Sequence, residues 1–121
     1  MCSSDLLHDL ARSLDLGVLV EAHDRDEIAR GVGLGVGIIG VNARDLATFG
    51  EDLEAAAASG AGIPAGTVAV AESAIRSVDD AAAMAAVGFD AVLVGEALVR
   101  SPDPTGLVSA MAGLTVRARG G

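Results

Sequence analysis

Four short apolar runs, spaced along the chain like successive βα units, constrain its fold more than any other feature of the sequence. The runs are Val18 to Val20, Ile38 to Val41, Val68 to Ala71 and Ala91 to Val94. Short runs rich in β-branched residues predict strands that are buried on both faces. Segments with helical spacing separate them, and a crossover helix makes consecutive strands parallel. The sequence therefore predicts an α/β fold in which four parallel strands alternate with helices.

Capping signals mark where the helices begin and end. Asp24 predicts an N-cap for a helix over 25–34, with Glu27 as the reciprocal partner of a capping box. The glycine-rich stretch over 31–37 follows this helix and precedes a strand, which is the reverse of a dinucleotide-binding loop. It is typical of a helix end and a short turn.

The later helices carry similar signals. Ser77 and Asp80 predict the start of a helix that Gly88 ends, and Asp103 before Pro104 predicts the start of the last helix. Helical spacing predicts two further helices, over 4–15 and 51–59, and the remaining stretch over 60–66 is expected to be a loop.

Composition and charge limit the possible partners. With 121 residues and 51% hydrophobic content, the chain can bury the core of one small domain, which we expect over 1–116 with a flexible tail over 117–121. The net charge of −9 repels polyanions, so neither nucleic acid nor an anionic membrane is expected as a partner. A small phosphorylated ligand is still allowed, because a helix N-terminus supplies a local positive field.

The cysteine count and the first residues bear on location. The single cysteine, Cys2, cannot form an intrachain disulfide, and Asp5 stands where a signal peptide carries basic residues. No apolar run is long enough to span a bilayer. We therefore expect a cytoplasmic protein, and no motif in it predicts a cofactor.

Polar residues stand at the predicted carboxyl ends of the strands, where parallel α/β folds bind their ligands. Glu21, Asn42 and Glu72 directly follow the first three runs, and Gly95 with Glu96 follows the fourth. Polar groups at equivalent ends of apolar runs favour a functional site, since burial alone disfavours them. The alternative is that Glu21 and Glu72 are solvated strand ends and that Asn42 begins a turn.

Two pairings near these ends have simpler explanations than catalysis. Glu21 and His23 share one side of a continuing strand, but the second histidine, His8, lies upstream and no third ligand has a suitable spacing for a metal. A solvated or helix-facing His23 is favoured, and no metal is expected. Arg44 and Asp45 are expected to form a local pair that orders the loop after the second strand.

Four segments carry a resemblance to a known family: VLVEAHD, GIIGVNARDL, VAVAESAI and AVLVGEALVRSPDP. In this order they are similar to the fifth to eighth strands of the indole-3-glycerol phosphate synthase family, over about residues 6–111. The resemblance implies the C-terminal, phosphate-binding half of a TIM (β/α)8 barrel. It also implies a lyase of tryptophan biosynthesis, which decarboxylates 1-(2-carboxyphenylamino)-1-deoxyribulose 5-phosphate and closes its indole ring.

The resemblance also implies roles for individual residues. Glu21 matches an active-site carboxylate, Asn42 a substrate-positioning amide, and Glu72 with Ser73 the polar pair after the seventh strand. The implied catalytic residues are therefore Glu21, Asn42, Glu72 and Ser73. The implied phosphate-binding positions, which act through backbone N–H groups, are Ala74, Gly95 and Glu96.

Two departures from the family pattern affect the expected activity. Ala74 stands where the family has Gly, and its Cβ hinders a close approach of the backbone to phosphate. The family takes catalytic and phosphate-binding lysines from its first strands, whereas all eight basic residues of this chain are Arg. We therefore expect this chain to be inactive alone.

A half barrel exposes the outer edges of its first and last strands and the apolar layer of the barrel interior. We therefore expect a phosphorylated small molecule as substrate and, as macromolecular partner, the missing N-terminal half barrel or a second copy of the chain. Two alternatives are a non-catalytic, phosphate-ester-binding half barrel that self-associates and an inactive truncated remnant.

Overall fold

The structure, a computed structural model, describes residues 3–42, 60–72 and 75–117. The predicted helix over 51–59 and the predicted Arg44–Asp45 pair lie outside these residues. The helices are α1 (Ser3–Ser13), α2 (Arg25–Gly33), α3 (Val78–Ala86), α4 (Glu96–Arg100) and α5 (Pro104–Ala112). The strands are β1 (Val20–Ala22), β2 (Ile38–Val41), β3 (Val68–Ala71) and β4 (Ala91–Val92).

The four strands form one parallel sheet in the order β1-β2-β3-β4, which confirms the predicted α/β architecture of half a TIM barrel. Three predicted strand limits are wrong. β1 continues past Val20 to Ala22, where it pairs with Val41. β1 begins at Val20 and not at Val18, because Val20 pairs with Ile39 and Val18 lies beyond the start of β2. β4 ends at Val92 and not at Val94, because Val92 pairs with the last residue of β3.

Successive side chains of each strand point to opposite faces of the sheet, and the helices cover one of these faces. Gly31 of α2 lies against this face, where an added Cβ would be 3.4 Å from Cδ1 of Ile39. Burial of this face supplies the main driving force for folding. The largest fully buried side chains of the core are Phe89, Ile28, Ile39, Met84 and Val41.

The opposite face of the sheet is the one that a closed barrel would turn inward. Glu21, Gly40, Val70 and Ala91 lie side by side on it. Leu93 has the same orientation as Ala91 and is 56% exposed. Within the described residues, β1 pairs only with β2 and β4 only with β3, so their outer edges are open. This face and these edges show the incomplete surface expected of half a barrel.

The three predicted N-caps form, whereas the reciprocal contact of the capping box predicted at Asp24 is made one residue earlier. The side chains of Asp24, Ser77 and Asp103 each accept a hydrogen bond from the backbone N–H three residues on, at the starts of α2, α3 and α5. In α2 the carboxylate of Glu27 accepts in return from the N–H of His23 at 3.2 Å, one residue before the cap.

Left-handed glycines follow two of the helices, as the sequence predicts. Gly35 after α2 and Gly88 after α3 have φ angles of 74° and 101°, which other residues rarely adopt. Beyond α5, the backbone N–H of Arg117 donates to the Ala85 carbonyl at 2.9 Å. The rest of the predicted tail, 118–121, lies outside the described residues.

Candidate active site

The ends of β1 and β2 bring Glu21 and Asn42 together. The side-chain amide of Asn42 donates a hydrogen bond to Oε1 of Glu21 at 2.9 Å. The backbone N–H of Asn42 donates to the Ala22 carbonyl at 2.9 Å, which continues the pairing of the two strands and fixes Asn42 beside Glu21. In the part of the chain that the structure describes, Oε2 of Glu21 has no hydrogen-bonding partner.

Glu72, at the end of β3, turns its carboxylate over the neighbouring strand. Its backbone N–H donates to the Val41 carbonyl at 3.0 Å, which sets its position beside the end of β2. A Cβ added at Gly40 would lie 2.8 Å from both Glu72 carboxylate oxygens, so only glycine leaves room for them. Oε2 of Glu72 is buried and has no hydrogen-bonding partner among the described residues.

This environment changes the acidity of Glu72. Burial raises the pKa of its carboxyl group above the ordinary value of 4.5, and the negative charge of Glu21 raises it further. His23 acts in the opposite direction and lowers this pKa. A carboxyl group with a raised pKa holds its proton nearer to neutral pH and can pass it to a reacting atom.

His23 joins this cluster, which the sequence did not predict beyond a helix-facing or solvated side chain. Its Nε2 lies 3.2 Å from Oε1 of Glu21, and its Nδ1 lies 3.3 Å from both carboxylate oxygens of Glu27 in α2. The signals for these contacts were the E-x-H spacing at the end of β1 and the four-residue spacing of His23 and Glu27.

The predicted phosphate-binding positions after β4 form the start of a short helix. Gly95 is the N-cap of α4. Among the described residues, no side chain caps this end, and a Cβ added at Gly95 would meet nothing within 4 Å. The carboxylate of Glu96 is paired with Arg100 at 2.9 Å, which offsets its charge near these N–H groups. The two other predicted positions, Ser73 and Ala74, lie outside the described residues.

A separate cavity of about 440 Å³ lies beside β4, between α3 and α5. Its lining is mostly apolar and includes Phe89, Leu93, Leu98, Met111 and Leu114, but none of the predicted site residues. It opens where the sheet stops at β4, so it belongs to the unpaired side of the half barrel and not to the carboxylate cluster.

Neither a metal-binding cluster nor a membrane-spanning helix is present in the described part of the chain. No three His, Cys, Asp or Glu side chains within 3–42, 60–72 and 75–117 are placed to hold a metal ion together. None of the helices in those ranges has the length and apolar character needed to cross a membrane.

A parallel βα half barrel with polar side chains clustered at the carboxyl ends of its strands places the chain in the (β/α)8-barrel class. The particular family follows from comparison with known proteins. The family model described as indole-3-glycerol phosphate synthase matches residues 3–111, and the chain belongs to this family. The predicted family resemblance is therefore confirmed.

Three relatives that bear the name indole-3-glycerol phosphate synthase illustrate the similarity. The protein of Micrococcus luteus is 48% identical over 110 residues, 89% of this chain and 41% of its own length. That of Nocardioides sp. is 46% identical over 108 residues, covering 89% and 42%. That of Mycobacteroides abscessus is 45% identical over 103 residues, covering 85% and 38%. The chain thus spans about two fifths of the length of these relatives.

Proposed function

We propose that this chain supplies the C-terminal half of an indole-3-glycerol phosphate synthase active site. The observation that carries the proposal is the convergence of Glu21, Asn42 and Glu72 at one edge of the sheet, in a chain that belongs to the family. The reaction is the decarboxylating ring closure of 1-(2-carboxyphenylamino)-1-deoxyribulose 5-phosphate. The proposed location is the cytoplasm, where tryptophan biosynthesis takes place.

The chemistry divides among the residues of the cluster. Ring closure requires loss of carbon dioxide and of water, and the departing hydroxyl needs a proton. Glu72 is suited to exchange that proton, since burial and Glu21 raise its pKa. Glu21 and Asn42 share a hydrogen bond and are suited to orient the substrate beside it. Ser73, the fourth proposed catalytic residue, adds a hydroxyl after β3.

The substrate phosphate is proposed to bind after β4, on the same carboxyl edge of the sheet as the carboxylate cluster. The uncapped N–H groups at Gly95 and Glu96 supply hydrogen-bond donors, and the open space at Gly95 gives a ligand access to them. Ala74 completes this set in the family pattern. The Ala side chain there is expected to weaken phosphate affinity relative to a Gly.

The strands of the N-terminal half barrel have to supply a cation to the proposed active site. The chain contains no Lys, and no Arg contacts Glu21 or Glu72 among the described residues. A second copy of the chain also lacks Lys, so it cannot supply the lysines of the family pattern. An N-terminal half barrel with the family's lysines can, whether it belongs to a longer form of this polypeptide or to another one.

The apolar inner face, the open strand edges and the cavity beside β4 support such a partner. Leu19, Val68 and Leu93 on the inner face are each at least 41% exposed and would be buried by strands that close the barrel. Pairing with a second copy also covers this face, but brings together two chains that each carry a net charge of −9.

Calorimetric titration and reconstitution test the proposal. The chain is titrated with indole-3-glycerol phosphate, glycerol 3-phosphate and inorganic phosphate, and is then mixed with the N-terminal part of the Micrococcus luteus relative. We expect saturable binding that prefers the indole ester, and synthase activity only in the mixture. Glu21→Gln should abolish the activity while leaving the mixture assembled.

Other outcomes favour the alternatives. Phosphate-ester binding by a stable homodimer, with no turnover in the mixture, would favour a non-catalytic binding module. A folded chain that binds none of the three ligands and does not assemble would favour an inactive remnant.

A further inference from the structure

One oxygen of Glu21 is held from two sides. The amide of Asn42 donates to Oε1 at 2.9 Å, and Nε2 of His23 lies 3.2 Å from the same oxygen. Oε2 has no hydrogen-bonding partner among the described residues. The two contacts therefore restrict the rotation of the carboxylate and leave Oε2 as the oxygen available to a substrate.

The His23 ring is held from its other side by α2. Nδ1 lies 3.3 Å from both oxygens of Glu27, and Oε2 of Glu27 also accepts the backbone N–H of His23 at 3.2 Å. Glu27 is itself fixed in the first turn of α2, where its backbone N–H donates to the Asp24 side chain at 2.8 Å. A continuous chain of contacts thus links the start of α2 to the carboxylate of Glu21.

Charge explains why a histidine suits this position. Glu21 and Glu27 contact the ring directly, Glu72 acts on it through space, and Asp24 lies next to it in the sequence. An ionised carboxylate only accepts hydrogen bonds, and each ring nitrogen of His23 faces a carboxylate that can accept from it. The ring lowers the pKa of Glu72 and so opposes the effect of Glu21 on that carboxyl group.

We infer that His23 is a positioning residue: it fixes Oε1 of Glu21 against the Asn42 amide and is itself anchored to α2 by Glu27. The effect of His23 on the reaction rate rests on the proposed function, because this effect requires Glu21 to act on the substrate. The electrostatic effect of His23 on Glu72 does not rest on the proposed function and can be tested in this chain alone.

The structural test follows the titration of the Glu72 carboxyl by carbon-detected NMR in folded samples of the full chain. The His23 side chain lowers the Glu72 pKa, so its removal in His23→Gln should raise the Glu72 midpoint. His23→Lys places a positive charge at this position and should return the midpoint toward that of the wild type. An unmoved midpoint in His23→Gln, with unchanged circular dichroism, would overturn the inference.

The contact between Glu27 and the His23 ring is tested separately, with a matched control variant at the preceding residue. Glu27→Gln and Asp26→Asn remove the same charge from the same turn, but Asp26 is exposed and contacts no ring in the described structure. Loss of a negative charge alone lowers the Glu72 midpoint, whereas release of the His23 ring raises it. We expect a rise in Glu27→Gln only. Equal downward shifts in both variants would contradict the anchoring role.

The kinetic test uses the mixture with the N-terminal half. For His23→Gln we expect a kcat lower by about tenfold with KM changed by less than about twofold, since orientation and not affinity is lost. His23→Lys should recover part of kcat. A rise in KM with kcat unchanged would overturn the positioning role. An inactive wild-type mixture would instead contradict the proposed function, and the NMR titrations would still decide the inference.

Discussion

The carboxylate of Glu72 lies across Gly40 of the neighbouring strand, where a Cβ would come 2.5 Å from its carboxyl carbon. Glu72 follows β3 by one residue, and Gly40 pairs with Val70, two residues before Glu72. The close approach therefore joins two adjacent strands diagonally. It places a carboxyl group in a partly buried position beside Glu21, where its pKa is raised.

Gly40→Ala should displace Glu72 from this position. The added methyl group would overlap a carboxylate with one buried oxygen, so the side chain has to move toward solvent. We expect the Glu72 pKa to fall toward 4.5 and the free energy of unfolding to decrease by about 1–3 kcal/mol. Urea denaturation and NMR titration of the carboxyl group measure the two effects.

Gly37→Ala is the matched control for this substitution. Gly37 immediately precedes β2, and an added Cβ there would meet nothing within 4 Å in the described part of the chain. It should leave the Glu72 titration unchanged. A Gly40→Ala variant that titrates like Gly37→Ala would show that the carboxylate does not depend on the space above Gly40.

The raised pKa of Glu72 also predicts how stability depends on pH. The folded state binds a proton at Glu72 more tightly than the unfolded state, whose carboxyl group has an ordinary pKa near 4.5. The contribution of protonated Glu72 is fully present below that value and is lost as the pH rises through the folded-state pKa. Between these two values, the free energy of unfolding should therefore decrease with increasing pH because of this group.

Glu72→Gln isolates that contribution, because the amide keeps the shape and loses the titration. The free energy of unfolding of Glu72→Gln minus that of the wild type should increase as the pH rises from 4.5 toward neutrality. Urea denaturation across this range measures it. A difference that is constant with pH would contradict the raised pKa.

Much of the fold was predictable because its signals are local. The caps at Asp24, Ser77 and Asp103 each depend on a bond that spans three residues, and all three form as predicted. The ends of the strands depend instead on the partner strand. Val18 and Val94 have the side chains of strand residues, but pairing with β2 and β3 ends before reaching them.

The candidate site likewise contains some contacts that the sequence predicts and others that it does not. That Glu21 and Asn42 meet follows from parallel strands, whose carboxyl ends share one edge, so the sequence sufficed to predict it. The position of Glu72 over Gly40 depends on the register of β2 and β3, which no local signal specifies. The orientation of His23 depends on the turn between β1 and α2, which places Glu27 behind the ring.

The Glu21–Asn42 hydrogen bond predicts an energetic coupling across the two strands. Asn42→Asp replaces the donor with a second carboxylate opposite Glu21 and should destabilise the fold at neutral pH by roughly 1 kcal/mol. Because Asn42 has a further interaction, a double-mutant cycle with Glu21→Gln is needed to isolate this pair. Glu21→Gln should recover most of the loss caused by Asn42→Asp. Purely additive effects would show that the two side chains do not interact.

The apolar inner face predicts where the proposed partner half barrel would bind. Leu93 continues β4, lines the cavity beside it and is 56% exposed, so closure of the barrel would bury it. Leu93→Glu places a charge in that buried interface and should weaken binding of the N-terminal half by at least about tenfold, as charges do at the centre of an interface. Sedimentation of labelled chains with the N-terminal part of the Micrococcus luteus relative measures the affinity.

Val99→Glu provides the comparison, since Val99 lies on α4, does not line the cavity and is 87% exposed. It adds the same charge to the same chain, so any general repulsion is matched. We expect Val99→Glu to bind the N-terminal half like the wild type and Leu93→Glu to remain folded but unassembled. Equal weakening by both substitutions would mean that net charge controls the association, and binding through another surface would leave both affinities unchanged.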